Sequence, residues 1–93
     1  MAKIWELLDQ ANRLIEARQY PEAQLILDEI LRLDPQNMEA WDAYMRMCTT
    51  RGDLEGLKSY ILKIWETRVR DDDYLFAMKR FLLQRVDERM HSV

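Results

Sequence analysis

The sequence predicts an all-α fold of about five antiparallel helices. Three observations lead there. Apolar residues recur at three- and four-residue steps along most of the chain, which is the period of one helix face. Only two glycines and two prolines occur among 93 residues. Both prolines fall where one apolar period stops and another starts, as helix boundaries require.

The first helix covers residues 3–17 and places Ile4, Leu7, Leu8, Ala11, Leu14 and Ile15 on one side. It gives out near Arg18 and Gln19. Pro21 fits the first turn of the second helix, where a missing N–H costs nothing. That helix carries Ala23, Ile26, Leu27, Ile30, Leu31 and Leu33 until Pro35 pushes the preceding residue out of the helical region. Asn37 caps a third helix with Ala40, Trp41, Tyr44, Met45 and Cys48 on its apolar side.

Arg51-Gly52-Asp53 reads as a turn, with Gly52 able to take positive φ and Asp53 capping the fourth helix. Leu54, Leu57, Ile61, Ile64 and Trp65 face inward there. Asp71, Asp72 and Asp73 open the fifth helix, which carries Leu75, Met78, Phe81, Leu82 and Val86 and runs close to residue 90. Carboxylates at a helix N-terminus cap free N–H groups and meet the positive end of the dipole. No further oxygen ligands cluster nearby, so the run predicts capping and no metal.

Composition narrows the function classes. A net charge of −3, with Lys and Arg scattered among acids, speaks against nucleic acid as a partner. Cys48 is the only cysteine, which excludes an intramolecular disulfide and fits a reducing compartment. Charges interrupt the first ten residues, unlike a signal peptide, and no apolar stretch has membrane-spanning length. The expected protein is soluble and cytoplasmic, with no membrane partner. The six methionines sit at helical spacing as core fillers, and His91 is solitary near the end. No Ser/His/Asp set, phosphate loop or zinc spacing exists, so neither catalysis nor a cofactor is expected.

A longer period runs through the helices. Leu7, Trp41 and Leu75 lie 34 residues apart, as do Leu14, Cys48 and Leu82. Arg18 aligns with Gly52, Ala23 with Leu57, Leu27 with Ile61 and Leu31 with Trp65. Together with Y-P-E-A at 20–23 and L-D-P-Q-N-M-E-A-W at 33–41, this pattern resembles the tetratricopeptide repeat family. The resemblance implies an α-α superhelix in a single domain over 1–93. Its parts are a first repeat at 4–37, a second at 38–71 and a capping helix at 72–91. The small residues that the family places at close helix contacts are Ala11 and Ala23 in the first repeat. The second repeat has Met45 and Leu57 there, and Val69 where proline is expected.

The resemblance also implies a function: a non-catalytic module that binds a partner peptide or helix in a concave groove. Carried over residue by residue, the groove is lined by Trp5, Leu8, Asn12, Ile15 and Glu16 on the first helix. The second repeat adds Glu39, Asp42, Arg46, Thr49 and Thr50, and the last helix Asp73, Phe76, Arg80, Leu83 and Gln84. Asn12, Arg46 and Arg80 share one column. They either hold the backbone or acidic groups of an extended peptide, or pair with Asp42, Asp73 and Glu39 inside the groove. Of the family's carboxylate-clamp positions, here Leu8, Asn12, Ala43, Asp73 and Ala77, only Asn12 keeps the family residue. Peptides ending in the acidic chaperone tail are therefore not expected to bind.

Trp5, Leu8 and Ile15 are apolar at positions where a groove is wet. They are either an anchor for a partner or a second copy of the chain, or they are covered by the fifth helix or the N-terminal turn. Two other functional readings stand beside the groove. One is a self-associating, homodimeric structural protein. The other rests on R-G-D-L-E-G-L-K-S-Y and the final helix, which are similar to helical activation domains of bacterial transcription regulators.

Overall fold

The structure is a computed structural model that describes residues 3–68 and 73–92. Among these, the chain forms five α-helices and no strand: α1 (Ile4–Glu16), α2 (Tyr20–Leu33), α3 (Met38–Met47), α4 (Arg51–Arg68) and α5 (Asp73–Ser92). They divide into two compact units, Met1–Met47 and Cys48–Val93. Of the aspartate run, Asp71 and Asp72 lie outside the described residues.

In the first unit, α1 packs on α2, and α3 packs on both. The connection between α1 and α2 is a tight backbone closure. The N–H of Gln19 donates to the carbonyl of Leu14 at 2.8 Å, and that of Arg18 to Ile15 at 3.0 Å. This pair of bonds is the Schellman arrangement, which needs a left-handed residue just past the helix. Arg18 supplies it with φ of 59°, the one positive φ among the described non-glycine residues. An L side chain there is strained, so Arg18→Gly is expected to stabilise the unit by about 0.5–1 kcal/mol, read as a higher thermal midpoint. An unchanged or lower midpoint would contradict the strain.

Pro21 lies in the first turn of α2, and α2 ends at Leu33, two residues before Pro35. The loop that follows is held from α3. Asn37 Oδ1 accepts the N–H of Ala40 at 3.0 Å, the cap expected there, and Trp41 Nε1 donates to the Pro35 carbonyl at 2.9 Å. The Tyr44 hydroxyl reaches back to Asp28 Oδ1 on α2 at 3.3 Å. Ala11, Ala23, Leu27, Ile30, Leu31, Ala40, Trp41 and Ala43 have no exposed surface. A fully buried alanine on each of α1 and α2 lets the two backbones approach closely.

In the second unit, α4 packs on α5. Leu54, Leu57, Ile61, Ile64 and Trp65 of α4 are buried, with Leu82, Val86 and Met90 of α5. Lys58 Nζ meets Asp87 Oδ1 at 3.1 Å across the pair. Two expectations need correction. The stretch 51–53 is no turn: Arg51 already begins α4, and Gly52 has no positive φ. The cause is a cap three residues before Asp53, at Thr50. Thr50 Oγ1 accepts the N–H of Asp53 at 3.1 Å, and Asp53 Oδ2 accepts the N–H groups of Thr49 and Thr50, each at 3.2 Å. This reciprocal capping box lets the helix start at Arg51. The second correction concerns Phe81, which is 56% exposed. Leu82, Val86 and Met90 follow each other at four-residue steps along the buried side, and Phe81 lies about 100° off that row.

Those bonds also set the charge state of Asp53. The Thr49 backbone N–H, the Thr50 hydroxyl and the Thr50 N–H hold its carboxyl below the usual carboxylate value. A depressed folded pKa gives stability that is present above the unfolded value and lost as pH falls through the folded one. Asp53→Ala is therefore expected to lower the midpoint at pH 7 and to change it much less near pH 2, measured by thermal circular dichroism. An equal loss at both pH values would refute the charged cap.

Candidate functional site

The face formed by α1 and α3 is built by helix period. On α1, Trp5, Asp9, Asn12 and Glu16 follow at steps of four, three and four residues, so they share one strip. On α3, Glu39, Asp42 and Arg46 do the same. The short connections 17–19 and 34–37 reverse the chain twice, so α1 and α3 run in the same direction.

One bond ties the two strips together. Arg46 Nη2 donates to Asn12 Oδ1, across a sequence separation of 34 residues. That separation equals the period of the sequence, and these two side chains are the first two of the column expected in line. The bond also answers how Arg46 is held: its partner is an amide on the neighbouring helix. In the same register, Trp5 and Glu39 lie seven residues before Asn12 and Arg46, two turns along the same face.

The face is polar with one large apolar side chain. Trp5 is 63% exposed, Asn12 and Asp42 are half-buried, and Glu6, Asp9, Glu16, Glu39 and Arg46 are exposed. Arg13 Nη2 meets Asp9 Oδ2 at 3.1 Å. Acids therefore outnumber cations around the tryptophan. Leu8 and Ile15, expected beside Trp5, are buried at 9% exposure each and belong to the core. The reason lies in the period: they fall 60–80° off the strip of Trp5 and Asn12, toward fully buried Ala11.

The remaining expected positions belong to the second unit. Thr49 is exposed, but its N–H and hydroxyl both donate to Asp53 Oδ2, so it serves the start of α4. The side chain of Asp73 lies outside the described residues. Phe76 is 48% exposed, with Lys79 Nζ 5.4 Å and the Arg80 guanidinium 6.0 Å from its ring centre. Phe81 carries the Arg85 guanidinium at 5.9 Å. Grouping Phe81 with the apolar residues of the fifth helix hides that α5 displays two aromatic rings, Phe76 with two cations over it and Phe81 with one. The run F-A-M-K-R-F-L-L-Q-R at 76–85, with three cations and no acid, carries the signal.

Other chemistry is sparse. Cys48 is buried, and burial first, then the charge of Asp53, pushes its thiol up to about 11 against the opposing pull of Arg89. A thiol in that state is a poor nucleophile. No group of His, Cys, Asp and Glu among the described residues could hold a metal ion. No described helix is long and apolar enough to cross a membrane. Compared with family models, curated proteins and solved structures, the chain matches none.

Proposed function

We propose that the chain is a minimal module of the tetratricopeptide repeat type, two repeats and a capping helix, that binds a partner peptide or helix on the α1–α3 face. The observation that carries this reading is the Arg46–Asn12 bond over 34 residues, beside an exposed tryptophan. A repeat protein sets the first helices of successive repeats side by side, in register at the repeat length. The bond has that register. Trp5 is the apolar anchor, and the Asn12–Arg46 pair offers amide and guanidinium hydrogen bonds to a partner backbone or carboxylate. Nothing in this reading requires catalysis or a cofactor.

The test is selection from a display library of random 16-residue peptides on the immobilised full chain. Selected peptides are titrated against the wild type, Trp5→Ala and Arg46→Glu. Both side chains are exposed, so far-UV circular dichroism should stay unchanged. At least a tenfold loss of affinity in each variant is expected. Equal affinity for all three proteins would place binding elsewhere.

A further inference from the structure

A groove with an acidic, tryptophan-bearing face selects its partner by charge as well as by shape. The residues exposed on or beside it are Glu6, Asp9, Glu16 and Glu39, against Arg13, which meets Asp9, and Arg46, which meets Asn12. Its natural complement is an amphipathic helix with aromatic anchors and cations. This chain contains such a helix.

On α5, Phe76 and Phe81 stand about 140° apart around the axis at roughly 100° per residue, and the surface between them holds Ala77, Arg80 and Gln84, all exposed. From Phe76 to Arg85 there is no acid. Two half-exposed phenylalanines on one surface helix are costly to solvate without an occupant. Lys79 and Arg80 already lie over the Phe76 ring, so the aromatic anchor and the positive charge arrive together.

We propose that the partner helix of the α1–α3 face is α5 of a second copy of this chain. This rests on the groove reading above and names its occupant. In the pairing, Phe76 and Phe81 of one copy close on Trp5 of the other, and Lys79 and Arg80 meet Glu39 and Glu6, the exposed acids at the level of that tryptophan. Aromatic pairs contribute beyond the area they bury, and the opposed charges steer and orient the approach. The pairing is heterologous, because one copy supplies an acidic surface and the other a basic one.

Two full-chain variants test it in solution. Trp5→Ser/Glu39→Lys disables the acceptor face and leaves α5 intact. Phe76→Ser/Phe81→Ser disables α5 and leaves the acceptor intact. All four positions are exposed, so both variants should fold. Sedimentation equilibrium is expected to show the wild type above its monomer mass of 11.3 kDa as concentration rises, less so in high salt. Each variant alone should associate at least tenfold more weakly. An equimolar mixture should recover association, since α5 of the first meets the intact acceptor of the second.

A wild type that stays at 11.3 kDa at every concentration overturns the pairing, as do variants that associate normally alone or a mixture that recovers nothing. In each of those cases the peptide selection still decides the groove reading separately. Selected peptides that lose affinity with Trp5→Ala while the wild type stays monomeric would keep the groove and assign it a different partner.

Discussion

Trp41→Ala is expected to unfold the first unit or leave it barely folded at 25 °C. Trp41 has no exposed surface and is one of the two largest fully buried side chains. Truncating a buried aromatic to alanine costs about 3–5 kcal/mol, from lost apolar burial and the cavity left behind. The change also removes the Nε1 bond to the Pro35 carbonyl, which holds the loop between α2 and α3. A small domain has about 5–15 kcal/mol in total, so this single loss consumes much of it. The measurement is chemical denaturation followed by far-UV circular dichroism. A midpoint within experimental error of the wild type would show that Trp41 is not a core residue.

Trp65 provides the control for the hydrogen-bond part of that argument. It is equally buried, but its Nε1 is, among the described residues, a buried side-chain donor without a partner. Trp65→Phe therefore removes an unsatisfied polar group along with some packing, whereas Trp41→Phe breaks a made bond. An orphaned buried donor costs about 1–3 kcal/mol, so Trp65→Phe should be the milder of the two.

The second large effect is Leu27→Ala, expected to cost about 2–5 kcal/mol, while Leu25→Ala stays within about 0.5 kcal/mol of the wild type. The two leucines are two residues apart on α2. Leu27 has no exposed surface and Leu25 is 72% exposed. On a helix, a two-residue step turns the side chain by roughly 200°, so the two point to opposite sides. Midpoints of both variants in urea check the pair. Comparable losses would mean that α2 is not seated by the face assigned to it.

Much of the fold was legible because its signals are local. Pro21, Pro35 and Asn37 act on their own backbone or on residues within a few positions, and each sits where the sequence placed it. The apolar rows of α1 to α4 were readable in the same way, because burial on one side of a helix repeats at a short period; the exception is Leu33, the last residue of α2, which is 49% exposed. At the start of α4 the turn and the positive φ of Gly52 do not form, while Asp53 does help cap the helix, as the third residue of a box that Thr50 opens. The Thr50-x-x-Asp53 spacing was the better signal, since it satisfies two N–H groups reciprocally.

The site was legible in part. The 34-residue period led to the Asn12–Arg46 column, and those two side chains do meet. Leu8 and Ile15 were assigned to the surface by position in a repeat, whereas their rotation about the axis takes them into the core beside Ala11. Phe81 was grouped with the apolar residues of the fifth helix, although Leu82 already holds the buried side of α5 at that level. Consecutive helix positions differ by roughly 100°, and α5 buries the row of Leu82, Val86 and Met90, which leaves Phe81 on the open side.

The central claim is that α1 and α3 lie side by side in the 34-residue register. Nuclear Overhauser contacts of the Asn12 side-chain amide in the full chain test it most directly. The account predicts cross-peaks to the side chain of Arg46. Cross-peaks to Asp42 in place of Arg46, or none to α3, would contradict it.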